Sequence, residues 1–456
     1  MQQKKIMQQQ ITLPDTLSVR HQAQVMVIGG GPGGIGAAVA AAREGADVLL
    51  VEHYGYLGGM ATAGEVNPFM PNHLNGESLD TGIFEEWLDR MIGYGGAKPK
   101  SRTFDSNIAR LAAEDLCLEA GVRLLYHHRT IHATVDQRRL HTLVLHSKSG
   151  LTAAQAQTFI DSTGDGDVAA LAGCRFHLGD ETHGGCQPMT LCFKLQLDSR
   201  DRPSGASGQD LYQAMAEEMD HIQKVYAAAQ ADGRIDCPRE NVLVFRGIED
   251  NIVHFNTTRV VGRSSIDGEA LSHAEIEARR QLRQIVAVLR QEVPIFRHTR
   301  IYSIAPQIGV RESRRIEGRC YVTIDDFRSA RRFPDAVARV TYGIDIHNPQ
   351  GSGTTLLDLP CGKWYEIPWG CLLTADLDNL AVGSRCISVD HAVHSSMRIM
   401  PPVCSLGQAA GSAAALAARA GCDISEIDGV RLKNHLIGRG RNLLPDDNGA
   451  PVQKSP

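Results

Sequence analysis

Between Gln24 and Gly55 the chain reads QVMVIGGGPGGIGAAVAAAREGADVLLVEHYG. An apolar run, a glycine cluster, an alanine-rich stretch and a second apolar run leave few folds open. They spell a strand, a tight turn, a helix and a parallel strand, which is a βαβ unit. The glycines of G-x-G-x-x-G fall at Gly29, Gly31 and Gly34, with Pro32 and Gly33 between them. The first permits the turn, the second lets a pyrophosphate approach the backbone, and the third lets helix pack on strand. The helix that begins there offers free N–H groups and a positive dipole end to phosphates. Glu52 closes the second strand about twenty residues on, where a carboxylate can accept ribose hydroxyls. A dinucleotide site follows, although this unit alone does not separate FAD from NAD.

Further along, Ile108, Leu111, Ala112, Leu116 and Ala120 share one helical face, and Gly121 is a good stop for that helix. Strand-like segments follow near 122–134 and 140–147, then AQTFIDSTGDGDVAALAG, an apolar strand running into a turn and a helix. Residues 198–300 change character: amphipathic helical stretches surround the strand-like VLVFRG and IVHFNT. This predicts a second lobe inserted into the first, with 301–335 as its return path. DNLAVGSRCIS then reads as a strand and turn, and SLGQAAGSAAALAARAG as a small-residue helix. The predicted organisation is a leader over 1–22, a discontinuous nucleotide-binding domain over 23–195 and 336–435, a substrate or cap domain over 196–335, and a flexible tail over 436–456.

Several stretches resemble one family. EHYGYLGGMATAG, IDSTGDGDVAALAG, VRESRRIEG, YGIDIH and NLAVGSRCISVDHAVHSSMRIMPPVCSLGQAAGSAAALA are similar to FAD-dependent oxidoreductases of the glutathione-reductase structural type. Within that family the likeness is to the group with DxTGDGD and RESRR segments, over roughly residues 24 to 425 and weakly over 195–300. The resemblance implies an α/β fold: a Rossmann-type FAD-binding domain with a central parallel sheet and a β-meander, carrying an inserted α+β substrate domain. It implies FAD, held non-covalently. Gly58, Gly59 and Met60 would bring backbone to the pyrophosphate and flavin edge, and Thr163, Gly164 and Asp165 match a second turn beside the pyrophosphate. Gly383 and Arg385 match the late turn that holds the ribityl chain, and Gly407 would open a helix aimed at the flavin pyrimidine ring. His53 departs from the pattern, which often has Arg or Lys after the acid.

A flavin needs a substrate C–H near N5 and often a base for the accompanying proton. His394, in SVDHAVHSSMR with His391, is the first candidate for a flavin-proximal residue, because the resemblance puts that stretch beside the isoalloxazine. Its rival is His347 in YGIDIHNP, with Asp345 on the same strand face. Both could equally be packed or capping histidines. Arg311, Arg314 and Arg315 form a charge cluster, and arginine forks bind carboxylates in two-point contacts. Arg311 is the expected substrate anchor. Arg314 and Arg315 read rather as a solvated run paired with Glu312 and Glu317, and Arg398 is a further carboxylate-recognising candidate.

The net charge of −5 and the scarcity of aromatic residues argue against nucleic acid. Eleven cysteines without a CxxC pair read as thiols in a reducing cytosol, with Cys186 and Cys192 as a redox alternative, and no metal site is expected. No apolar run spans a bilayer and the glutamine-rich start lacks a signal-peptide core, so a cytoplasmic protein is expected. Lacking a second G-x-G-x-x-G, the chain would pass electrons to oxygen, a quinone or a partner protein. The expected function is an FAD-dependent oxidase or dehydrogenase moving a hydride from a small, anionic substrate to flavin N5. The alternatives are a flavin-dependent isomerase or lyase without net redox change, and a non-catalytic FAD-binding subunit of a redox complex. The alanine-rich helices would face either a partner copy, in a homo-oligomer, or the core.

Overall fold

The computed structural model describes residues 16–203 and 210–443; the predicted leader and tail lie partly outside these. Strand β1 (Val19–Ile28), helix α1 (Pro32–Arg43) and strand β2 (Val48–Val51) form the βαβ unit read from the sequence. β1 begins within the stretch expected as leader, and a helix over Gly429–Gly438 runs into the stretch expected as tail. Strands β3 (Arg123–Leu125), β4 (Arg129–Asp136), β5 (Arg139–Ser147), β6 (Gly150–Asp161) and β7 (Leu380–Val382) complete the central sheet, in the order β3-β2-β1-β6-β5-β4. β3, β2, β1, β6 and β7 run parallel, while β4, β5 and β6 form an antiparallel meander. The long β6 serves both systems: its first half pairs β5 and its last three residues pair β7. Parallel strands covered on both faces must be apolar throughout, and all four residues of β2 are buried.

The inserted lobe is built on an antiparallel sheet ordered Val244–Arg246, Ile252–Phe255, Phe193–Gln196, Arg300–Ile304. Helix α2 (Gly268–Glu292) belongs to this lobe, its first turn capped by Asp267, which accepts from the Ala270 N–H at 2.7 Å. The lobe has its own core of Phe193, Phe255, Phe296, Ile285 and Leu289, separate from that of the central sheet. By Arg314–Ile316 the chain is paired with Phe176–Leu178, so it rejoins the first lobe before the expected end of the return path at 335.

Two helices late in the first lobe, ahead of the one over Gly429–Gly438, matter for the site: α3 (His391–Met397) and α4 (Met400–Ala420). α4 starts five residues before the stretch read as helical. Pro401 and Pro402 sit in its first turn, where a missing N–H costs no bond, so they open the helix rather than break it. α1 and α4 cross in backbone contact inside this chain. A Cβ on Gly407 would lie 1.8 Å from the Gly33 carbonyl oxygen, and one on Gly411 2.0 Å from that of Ala37. Their small residues are thus buried against each other. Among the described residues no helix is long and apolar enough to cross a membrane.

Candidate active site

A cavity of about 1030 Å³ opens at the carboxyl ends of β1, β2, β6 and β7 and runs under the inserted lobe. Parallel strand ends are where open α/β sheets bind ligands, because turns and helix N-termini converge there.

At one end lies the glycine turn. Gly29 has φ 98°, and a Cβ on it would meet the Ser162 carbonyl oxygen at 2.4 Å, so side-chain-free backbone is required. Gly31 faces the cavity with nothing nearer its Cβ position than the Gly59 Cα at 3.8 Å, which leaves room for a phosphate. Glu52, buried at the end of β2, accepts from the Gly30 N–H at 2.6 Å and the Tyr54 N–H at 2.9 Å. His53 Nδ1 lies 2.9 Å from the same carboxylate, so the residue that departs from the family pattern leans on Glu52.

The second turn is braced from several directions. Burial raises the Asp161 carboxyl to about 6; its oxygens accept from the Thr163 N–H and hydroxyl and from the Ala169 N–H. Asp165 accepts from Arg385 and from the Ser313 hydroxyl, both at 2.6 Å, and Arg314 donates to the Asp165 carbonyl and to Asp167. Pro32, Gly33, Gly59, Met60, Thr163, Gly164, Asp165 and Arg385 all line the cavity with Gly29, Gly31, Glu52 and His53.

Gly34 packs on the Gly29 carbonyl, as its place in the motif predicts, and does not itself line the cavity. Three expected contacts lie behind the wall instead: Gly58 packs on Thr62, Gly383 on Ile160 and Ser162, and Gly407 on Gly33. Gly407 does not open a helix: it sits two turns into α4, where only a glycine lets α1 approach. The helix start that reaches the cavity is Ile399–Met400.

The other end of the cavity carries charge. Arg311 donates to the Pro188 carbonyl (2.7 Å), to the Thr190 hydroxyl (2.6 Å) and weakly to Asn256. Burial and two neighbouring arginines, Arg398 and Arg239, pull its guanidinium down to about 9. His347 ends the strand Ile344–His347, whose hairpin reaches the cavity rim. Its Nδ1 faces Arg259 Nη2 at 3.0 Å and its Nε2 lies 3.6 Å from Asp345. An arginine can only donate, so Nδ1 accepts and the proton sits on Nε2. Burial and the positive charge of Arg311, Arg398, Arg239 and Arg259 hold the imidazole far below its usual range, hence neutral.

His394 is a different case. It is fully buried in α3, does not line the cavity, and neither ring nitrogen has a hydrogen-bond partner among the described residues. Burial, then Arg315 and Arg398, push its imidazole well below the usual value. It is a core histidine, because the helix turns that side of α3 inward. Nor are Arg314 and Arg315 a solvated run. Arg315 is buried and pairs with Glu312 at 2.7 Å, and Glu312 also accepts from His391 Nδ1. Sequence reading missed Arg239 and Tyr342, which both line the cavity. Arg239 stands in an ordinary loop segment, CPRENV, with no motif to mark it.

The sequence profile of the FAD dependent oxidoreductase family matches residues 24–436. A flavin-dependent halogenase, otaD, of Aspergillus carbonarius is 33% identical over 110 residues, or 23% of this chain; the match spans only 19% of the halogenase. Among solved structures, a flavoprotein/dehydrogenase of Cytophaga hutchinsonii is similar at TM-score 0.45 and 14% identity, covering 92% of this chain and 83% of that one. A geranylgeranyl bacteriochlorophyll reductase-like protein of Thermoplasma acidophilum is similar at TM-score 0.44 and 11% identity, covering 92% and 84%. The open space at Gly31, the buried Glu52 carboxylate and the braced Asp165–Arg385 turn fit a dinucleotide laid across the strand ends. The chain belongs to the FAD-dependent oxidoreductase family, and the cofactor of this enzyme is FAD.

Proposed function

We propose that this enzyme oxidises a small organic anion, with a hydride passing from a substrate C–H to flavin N5. The reading rests on one observation: Arg239, Arg311 and Arg398 all line the cavity, and Arg239 and Arg398 are close enough to act on Arg311 as like charges. When bound, FAD supplies a two-electron acceptor. Arg311, clamped by Pro188 and Thr190, orients a substrate carboxylate. His347 donates through Nε2 rather than taking a proton. Asp345, which accepts from the Tyr342 hydroxyl at 3.1 Å and lines the cavity, receives the substrate's hydroxyl or amine proton at Oδ1. The C–H electron pair and the proton thus leave to separate acceptors. The inserted lobe, through Leu243, Phe245 and Leu271, covers this end and keeps water out.

The test is anaerobic mixing of holoenzyme with 2-hydroxy acids, 2-amino acids and matching neutral alcohols and amines. Stable bleaching of the visible flavin band by an acid, and not by its neutral analogue, is expected. Arg311→Gln should raise KM for the acid about 10- to 100-fold, the worth of one charge-assisted contact. Bleaching by neutral analogues alone, or bleaching that reverses without an acceptor, would overturn the reading; the latter points to a reaction without net redox change.

A further inference from the structure

We infer that the covered end of the cavity is a receptor for a small dicarboxylate, held by Arg239, Arg311 and Arg398. The inference rests on the reading above that this end takes the substrate.

Arg239 carries the argument. It lies on the loop before Val244–Arg246, is only 6% exposed, and lines the cavity. Its Nε and Nη1 have no hydrogen-bond partner among the described residues. A buried guanidinium with two nitrogens unpartnered is held at substantial cost in desolvation, and an anion arriving in the cavity offsets that cost. Arg398 repeats the pattern in part: its Nη2 reaches the Asp345 carbonyl at 3.2 Å, while its buried Nε is unpartnered.

The local charges do not balance. Asp345, 3.9 Å from Arg398, is among the described residues the one cavity-lining carboxylate at this end left to face the three guanidiniums. Glu240 is taken by Arg259 at 3.1 Å, and Glu275, farther along the wall, is taken by Arg279 at 2.7 Å and by the Ile308 N–H. Three positive groups against one negative leave an excess of two. Arg311 feels both Arg398 and Arg239 as neighbouring like charges. Three guanidiniums brought to one cavity by separate segments of the chain, with an excess of two charges, match the two carboxylates of a diacid. Arg239 comes from the inserted lobe and Arg398 from the end of α3, so a dicarboxylate would tie the two lobes together.

The probes are malonate, succinate, glutarate, butyrate and inorganic phosphate, titrated into the FAD-loaded enzyme at low ionic strength. Binding is read by calorimetry and by perturbation of the flavin spectrum. One of the dicarboxylates should bind at least about tenfold more tightly than butyrate, about 1.4 kcal/mol. Arg239→Gln should weaken the preferred dicarboxylate at least about tenfold more than it weakens butyrate, and Arg239→Lys should restore part of the difference. FAD content and the thermal midpoint report whether the variants are folded. Three results would overturn the receptor: no dicarboxylate preference, phosphate bound more tightly than every dicarboxylate, or Arg239→Gln weakening butyrate and dicarboxylates alike. If dicarboxylates bind through Arg239 while no acid reduces the flavin, the receptor stands and the oxidation reading falls. Reduction by monoacids without a dicarboxylate preference means the reverse.

Discussion

Glu52 shows how one side chain can both build and use a site. Its two oxygens accept from the Gly30 and Tyr54 N–H groups, with His53 Nδ1 2.9 Å away, which holds the glycine turn against the end of β2. A carboxylate offers about four acceptor positions and two are used by backbone N–H groups, so room remains for a ribose hydroxyl. Glu52→Gln replaces an acceptor with an NH2 that must face a backbone N–H. It should weaken FAD about 10- to 100-fold in a titration of apoprotein followed by quenching of flavin fluorescence. An unchanged affinity would remove Glu52 from the cofactor site. His347 and His394 make the opposite point. Both are histidines in motifs that resemble the family, yet one meets the cavity and the other is sealed in the core.

Among the elements, the crossing of α1 and α4 decides how closely the βαβ unit is backed. Gly36 would place a Cβ 2.2 Å from the Cys404 carbonyl oxygen, and Gly33 one 2.0 Å from that of Gly383. The obstacles are backbone atoms and cannot swing aside. Gly407→Ala should therefore force the helices apart and cost about 1–3 kcal/mol, seen as a lower denaturant midpoint. Its distance from the cavity predicts a smaller effect on FAD affinity than that of Glu52→Gln. A variant as stable as the parent would mean that α4 shifts freely. The glycine spacing was readable along the chain, but its purpose was not. Gly407 and Gly33 are far apart in sequence, and only their contact shows that Gly407 serves packing rather than a helix start.

For the whole molecule, the cofactor is also a structural load. The cavity that fits FAD lies where the strand ends, the second turn and the inserted lobe meet, so binding FAD there should stabilise the native chain by linkage. At about a hundredfold excess over Kd the gain is about 2.7 kcal/mol. Removing FAD should lower the thermal midpoint, and graded re-addition should raise it with the logarithm of concentration. A midpoint indifferent to FAD would mean that the unfolded chain binds it equally well, or that the pocket is not the cofactor site.

By itself the sequence determined the βαβ unit, the glycine turn and the place of Glu52 just past the second strand. These depend on neighbours within about thirty residues, on local backbone sterics and on the periodicity of apolar positions. The Asp165–Arg385 brace joins residues 220 apart, and the contact between His347 and Arg259 joins residues 88 apart. Only the folded chain could decide those pairs. The same holds for charge: Arg239 and Arg314 are alike as letters, but one pairs with Asp167 and the other faces a cavity with two nitrogens unpartnered. Whether an arginine is solvated, paired or held ready for an anion depends on what the distant chain packs around it, because desolvation is a property of the surroundings and not of the residue.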